Sequence, residues 1–160
     1  MPQEEIMKAS YVKAWWETFK HRLWVVYFAL KCCKALLGRT IYHDASKFRN
    51  PERDSFRIAV SALEDLDYNS VEYKKWMDFL KDAVDHHYIA NKHHPEHWKY
   101  GIEEMSSLDR LEMICDWKAA TKRHRNGDID KSFQINKGRF KIPTLIFESM
   151  LRDAREIGIF

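Results

Sequence analysis

Residues 5–37 contain neither Pro nor Gly, and apolar side chains recur at helical spacing through Tyr11, Trp15, Phe19, Val26 and Leu30. The pattern predicts one long helix with Gly38 placed to stop it. A short segment, 41–48, carries the doublet His43-Asp44. Asn50, Pro51 and Glu52 then supply an N-cap, a first-turn proline and a first-turn acid for a second helix running to about residue 66. The polar stretch 67–70 reads as a loop. From 71 to 90, Tyr73, Trp76, Met77, Leu80, Ala83, Val84 and His87 fall on one helical face, so His87 points where the core residues point. Pro95 disfavours helical geometry at His94, which makes 93–100 an irregular segment rich in His and Trp. Ser106 and Asp109 resemble a capping box opening a helix over 108–125, with Asp116 in its middle and Asn126-Gly127 at its end. A last helix spans 143–158. No strand pattern, repeat or linker interrupts this series, and the expected fold is all-α, one compact helical domain over 1–160.

Composition sharpens that picture. At 160 residues and 45% hydrophobic the chain can bury one core, and five Gly and four Pro are too few for a turn-rich sandwich or barrel. A net charge of +3 with 32% charged residues mixes both signs and provides no field for a polyanion, which argues against nucleic acid. Cys32 and Cys33 are adjacent and Cys115 stands alone; unpaired thiols fit a reducing, cytoplasmic compartment, and all three read as core residues. The uncharged run 23–30 is far short of the ~20 residues that span a bilayer, and no secretory leader opens the chain. A soluble, intracellular protein is expected, with homo-oligomerisation left open.

The candidate chemistry lies in His21, His43-Asp44, His86-His87, His93-His94, His97 and Asp116, spread over several helical segments. Imidazole nitrogens and carboxylate oxygens ligate divalent transition metals, and helical bundles assemble such sites from facing helices. Each residue also has a plainer explanation. His21 lies between Lys20 and Arg22, as a solvated histidine would, and Lys118 or Lys122 could pair with Asp116 on the helix surface. Asp116 is nevertheless flanked by Ile114, Cys115, Trp117, Ala119 and Ala120, where an uncompensated carboxylate is costly.

In their order, His21, His43, Asp44 and Asp116 resemble the four-residue pattern of the HD-domain superfamily. The extra histidines resemble its bimetallic branch, the HD-GYP phosphodiesterases and HD-type di-iron oxygenases. That resemblance implies a dinuclear centre of Mn, Fe, Ni, Co or Zn with His21, His43, Asp44, His87, His94 and Asp116 as ligands. His86 and His93 are alternates one residue away. Within HDASKF, residues 43–48, Lys47 resembles the lysine that follows the doublet in that branch; a surface lysine or a carboxylate partner explains it equally well. Gly-Tyr-Pro is absent after the second His doublet, so the resemblance gives no support for cyclic di-GMP. The segments HDASKF, HHYIANKHHPEHW and LEMICDWKAATKRHRNGDIDKSFQINKGRF also look like an uncharacterised family of small phage and bacterial HD-like proteins.

The function implied is metal-dependent hydrolysis of a nucleotide or other small phosphoester, with Asp44 bridging two ions and Lys47 neutralising phosphoryl charge. Arg123, Arg125, Lys137 and Arg139 are candidates for binding substrate phosphates, and Glu52 and Glu96 for orienting histidine ligands. The alternatives are a di-iron oxygenase and a non-catalytic phage binding protein in which metal ties helices together.

Overall fold

The computed structural model describes residues 3–64, 66, 70–122 and 127–160. Among these there are seven α-helices and no strand, the all-α class that the periodicity predicts. The chain divides into two compact units, Met1–Ile41 and Tyr42–Phe160.

The first unit is one helix, α1 (Gln3–Ile41). It does not stop at Gly38, because a glycine permits the left-handed turn that ends a helix without imposing it. Thr40 Oγ1 donates to the Leu37 carbonyl at 3.0 Å in the turn beyond. Rings three and four residues apart pack along the helix, with Trp24 5.7 Å from Tyr27 and 6.1 Å from Phe28. Cys32 and Cys33 are exposed, contrary to the core placement expected of them.

The second unit opens with a 3-10 turn, Ala45–Phe48, and continues through α2 (Glu52–Glu64), α3 (Val71–Phe79) and α4 (Lys81–Ala90). Two further 3-10 turns, Pro95–His97 and Gly101–Glu103, lead to α5 (Ser107–Thr121), α6 (Ile129–Arg139) and α7 (Thr144–Glu156). The single helix expected over 71–90 is broken at Leu80. Its side chain is buried at 1% exposure, and its ψ of −4° re-aims the chain so that α4 buries Ala83 and His87. Ser70 caps α3, its hydroxyl accepting from the Tyr73 N–H at 3.0 Å; the rest of the expected loop, 67–69, lies outside the described residues.

The capping box at the start of α5 is present, and Asp109 accepts from the Ser106 N–H at 2.7 Å while Ser106 Oγ accepts from the Asp109 N–H at 3.2 Å. This helix ends at Thr121 rather than near 125, and Asn126, expected to help end it, lies outside the described residues. The helix α6 was not anticipated. Its signals are the N-cap Asp128, which accepts from the Lys131 N–H at 3.1 Å, and the buried pair Ile129 and Phe133 four residues apart.

Helices α5, α6 and α7 share the main core. Met113, Ile114 and Trp117 meet Phe133, Phe147, Met150 and Ala154, and the Phe133 ring stands edge-on to Trp117 at 5.3 Å. Glu112 and Asp116 project from the rest of α5 toward His43, so one helix serves the core and a polar site together. No helix among the described residues is long and apolar enough to cross a membrane.

Phe133 is fully buried, so Phe133→Ala should lower the unfolding free energy by about 3–5 kcal/mol, whereas Phe133→Leu should cost less than about 2. Urea denaturation followed by circular dichroism measures both. Equal small effects would mean that the α5–α6–α7 core is not the main source of stability.

Candidate metal centre

The site begins at Asp44, whose backbone adopts the left-handed conformation (φ 54°, ψ 22°) at the head of the 3-10 turn Ala45–Phe48. Aspartate tolerates that region better than most residues, and the Asp44 carbonyl accepts from the Lys47 N–H at 2.9 Å. Its neighbour His43 is delivered by the same turn. His87 comes from the buried face of α4, while His93 and His94 come from the segment that Pro95 keeps out of helix. Asp116 comes from α5.

Two groups of possible ligands converge there. Asp44, His87, His93 and His94 form one and His43, His93 and Asp116 the other; within each group the donor atoms lie within 4.8 Å of one another. In the first, His87 Nε2 lies 3.3 Å from Asp44 Oδ1 and 2.9 Å from His94 Nε2, and His93 Nε2 lies 3.4 Å from Asp44 Oδ1. Donors at ~2.0–2.2 Å from a shared ion stand about 3–3.5 Å apart, so these spacings fit a cation. In the second, His43 Nε2 lies 3.5 Å from Asp116 Oδ1, and Asp44 Oδ2, outside that group, is also 3.5 Å from His43 Nε2.

Buried carboxylates determine which ring nitrogens face inward. Fully buried Glu52, from α2, places Oε1 2.7 Å from His86 Nδ1 and Oε2 2.8 Å from His87 Nδ1. A carboxylate accepts, so the Nδ1 of His87 donates and its Nε2 lone pair faces Asp44 and His94. Ser46 Oγ donates to Glu52 Oε2 at 2.9 Å, and Asn91 Nδ2 donates to Ser46 Oγ and the His87 carbonyl, both at 2.8 Å. On the other side, Glu112 Oε1 stands 3.1 Å from His43 Nδ1 and 3.4 Å from His93 Nδ1. Two buried atoms then lack a hydrogen-bond partner among the described residues, Asp44 Oδ1 and His93 Nε2. Both present lone pairs toward the same point, and desolvated lone pairs are costly unless a cation or a donor meets them.

The electrostatics agree with that arrangement. Burial drives the His94 pKa down to about 3 and outweighs the pull of Asp44 and Glu52 on His87, so both rings stay neutral. His43 is different: hydrogen bonds to Asp116 and Glu112 raise its pKa to about 10. Burial works to raise the carboxyls of Asp44 and Asp116, but Lys47 beside the first and His43 beside the second pull both below the usual range.

The structure brings together five of the six residues expected as ligands, His43, Asp44, His87, His94 and Asp116. His21 lies exposed on α1, and neither group includes it. His93, an alternate in the sequence reading, belongs to both groups, while His86 is held on Glu52 outside them. Glu96 does not orient a histidine; it accepts from Arg139 Nη2 at 2.7 Å, and Tyr88 Oη accepts from the same nitrogen at 2.9 Å. Lys137 lies over the Phe147 ring at 4.4 Å, and Arg123 and Arg125, the other expected phosphate binders, lie outside the described residues. Glu112 was missed. Its signal was its place one helical turn before Asp116, on the same face of α5.

A family model described as Family of unknown function (DUF5662) matches residues 12–153. The chain belongs to this family. No curated protein and no solved structure matches it. Every residue of the two donor groups in this DUF5662 member falls inside the matched span.

Glu52→Gln and Glu112→Gln should each weaken binding of Mn2+ or Co2+ about 10–100-fold, read by competition with a chromogenic chelator. Affinity unchanged in both variants would show that the carboxylates do not orient the ligands. A second expectation follows from His43, whose raised pKa keeps its proton at neutral pH. Ligation there must displace it, so affinity at this group should rise with pH up to about 10. Calorimetry at pH 8 in buffers of different ionisation heat should find about one more proton released by the wild type than by His43→Gln.

Proposed function

We propose that the chain is a metal-dependent phosphohydrolase acting on a nucleotide or other small phosphoester through a dinuclear His/Asp centre. The observation that carries this reading is the facing pair of unsatisfied buried atoms, Asp44 Oδ1 and His93 Nε2, inside a ring of imidazoles. One His93 nitrogen cannot serve two ions while its other nitrogen is turned to Glu112. With His93 assigned to Asp44 Oδ1, His87 and His94, the second group is left with His43 and Asp116, and Asp44 Oδ2, 3.5 Å from His43 Nε2, is the oxygen placed to join them. Asp44 thereby offers one oxygen to each group, as a bridging carboxylate does. The order of these residues also resembles the HD-domain pattern.

Two divalent ions, when bound, supply an activated water and neutralise phosphoryl charge. The protein's own groups supply position and charge. Glu52 and Glu112 hold the rings of His87, His43 and His93 by their outer nitrogens. Asp44 is held on its turn, and Lys47 Nζ, 2.7 Å from Asp44 Oδ2, puts a positive charge beside the site for phosphoryl oxygens to meet. The side chains of His43, Asp116 and Lys47 are about a quarter to a third exposed, which leaves this edge open to a ligand.

Metal-stripped protein reloaded with Mn2+, Fe2+, Co2+, Ni2+ or Zn2+ and offered nucleotides and cyclic nucleotides should release phosphate or a nucleoside monophosphate. Asp44→Ala and His94→Ala should reduce that rate at least about 100-fold while the helical circular dichroism persists. Two bound irons with oxygen consumed and no phosphoester cleaved would replace this reading by the oxygenase. Metal-dependent melting without turnover on any substrate would replace it by the binding protein.

A further inference from the structure

Lys47 occupies an unusual place for a residue whose expected partner is a substrate. Its Nζ donates to Asp44 Oδ2 at 2.7 Å, the oxygen that the dinuclear reading gives to the second position, whereas Oδ1 is left without a partner among the described residues. The lysine is only 34% exposed, and its ammonium lies 5.6 Å from the centre of the Phe56 ring, so packing as well as charge holds it. The two oxygens of one carboxylate are therefore treated differently by the fold. One waits for a cation and the other already has one.

We infer that Lys47 is an internal competitor for the second metal position, so that the centre loads in order: a tight ion at Asp44 Oδ1, His87, His93 and His94, then a weaker ion at Asp44 Oδ2, His43 and Asp116. This rests on the dinuclear reading above and concerns how that centre fills. A divalent ion at Oδ2 would sit next to an ammonium in a half-buried setting, and like charges there repel strongly. The second ion must therefore move Lys47 off Asp44. The displaced ammonium is then free to meet an anionic ligand at the open edge, so that a phosphate ester and the second ion would favour the same position of Lys47.

The test is a titration of the metal-free full-length chain with Mn2+, counting free ion by electron paramagnetic resonance. Wild type should bind one ion at least about 10-fold more tightly than a second. Lys47→Met, which keeps the length and removes the charge, should tighten the second ion about 10-fold or more and leave the first within a few fold; Lys47→Arg should keep the gap. Two equally tight ions in the wild type, or a second ion unchanged or weaker in Lys47→Met with the fold intact, overturns the inference while leaving the dinuclear reading in place. Failure of the wild type to bind any ion overturns the dinuclear reading itself. Melting temperatures of the three metal-free proteins show whether a variant's result reflects misfolding.

Discussion

The centre depends on a carboxylate that the fold desolvates before anything has met it. Asp44 is fixed by a left-handed turn that few residues adopt, and its side chain is turned inward to 16% exposure among imidazoles. Such a group must be compensated, and the fold compensates its two oxygens unequally. Lys47 satisfies one; the other faces His93 Nε2, which also lacks a partner among the described residues. The surrounding elements can be understood as what holds this unequal pair in place. The α4 helix brings His87, the Pro95 segment brings His93 and His94, and α5 brings Asp116.

Two buried carboxylates form a further layer, and they come from different helices. Glu52 begins α2 and Glu112 lies on α5 beside Met113 and Ile114, which are part of the main core. Ring orientation at the centre is thus tied to apolar packing through a single helix. A change that rotates α5 would move Glu112, His43 and His93 together, so stability and metal affinity should be coupled there more closely than at Glu52. The Ser46 and Asn91 hydrogen bonds around Glu52 give that second support its own local network.

Much of this was legible in the sequence, and the failures have identifiable causes. Helical periodicity located α1, while cap and breaker residues such as Asn50-Pro51-Glu52, the Ser106/Asp109 capping box and Pro143 located α2, α5 and α7. The same periodicity placed His87 inward correctly, because a helix face assigns direction. It could not separate His93 from His94, since both lie in an irregular segment where no period relates neighbours, and the structure directs both inward. The break at Leu80 was invisible because it uses no proline or glycine, only a buried leucine at ψ near zero. The α6 helix was overlooked because only Ile129 and Phe133 carry its buried face in an otherwise polar stretch.

Function was less legible than the site for a physical reason. A metal centre needs donors at fixed separations, and donor type and order leave a trace in sequence. Substrate choice depends on the surface beyond the donors, where side chains pair with one another in ways the sequence does not announce. Arg139 shows this: as a basic residue it suggested phosphate, yet it bonds Glu96 and Tyr88 and so ties α6 to α4 and the Pro95 turn. Lys47 shows the converse. Its sequence position after the His-Asp doublet fitted a substrate contact, a carboxylate partner or a surface lysine alike, and its contact with Asp44 decides for the carboxylate. A basic residue's role is set by the acid it already holds, and only the fold reveals that acid.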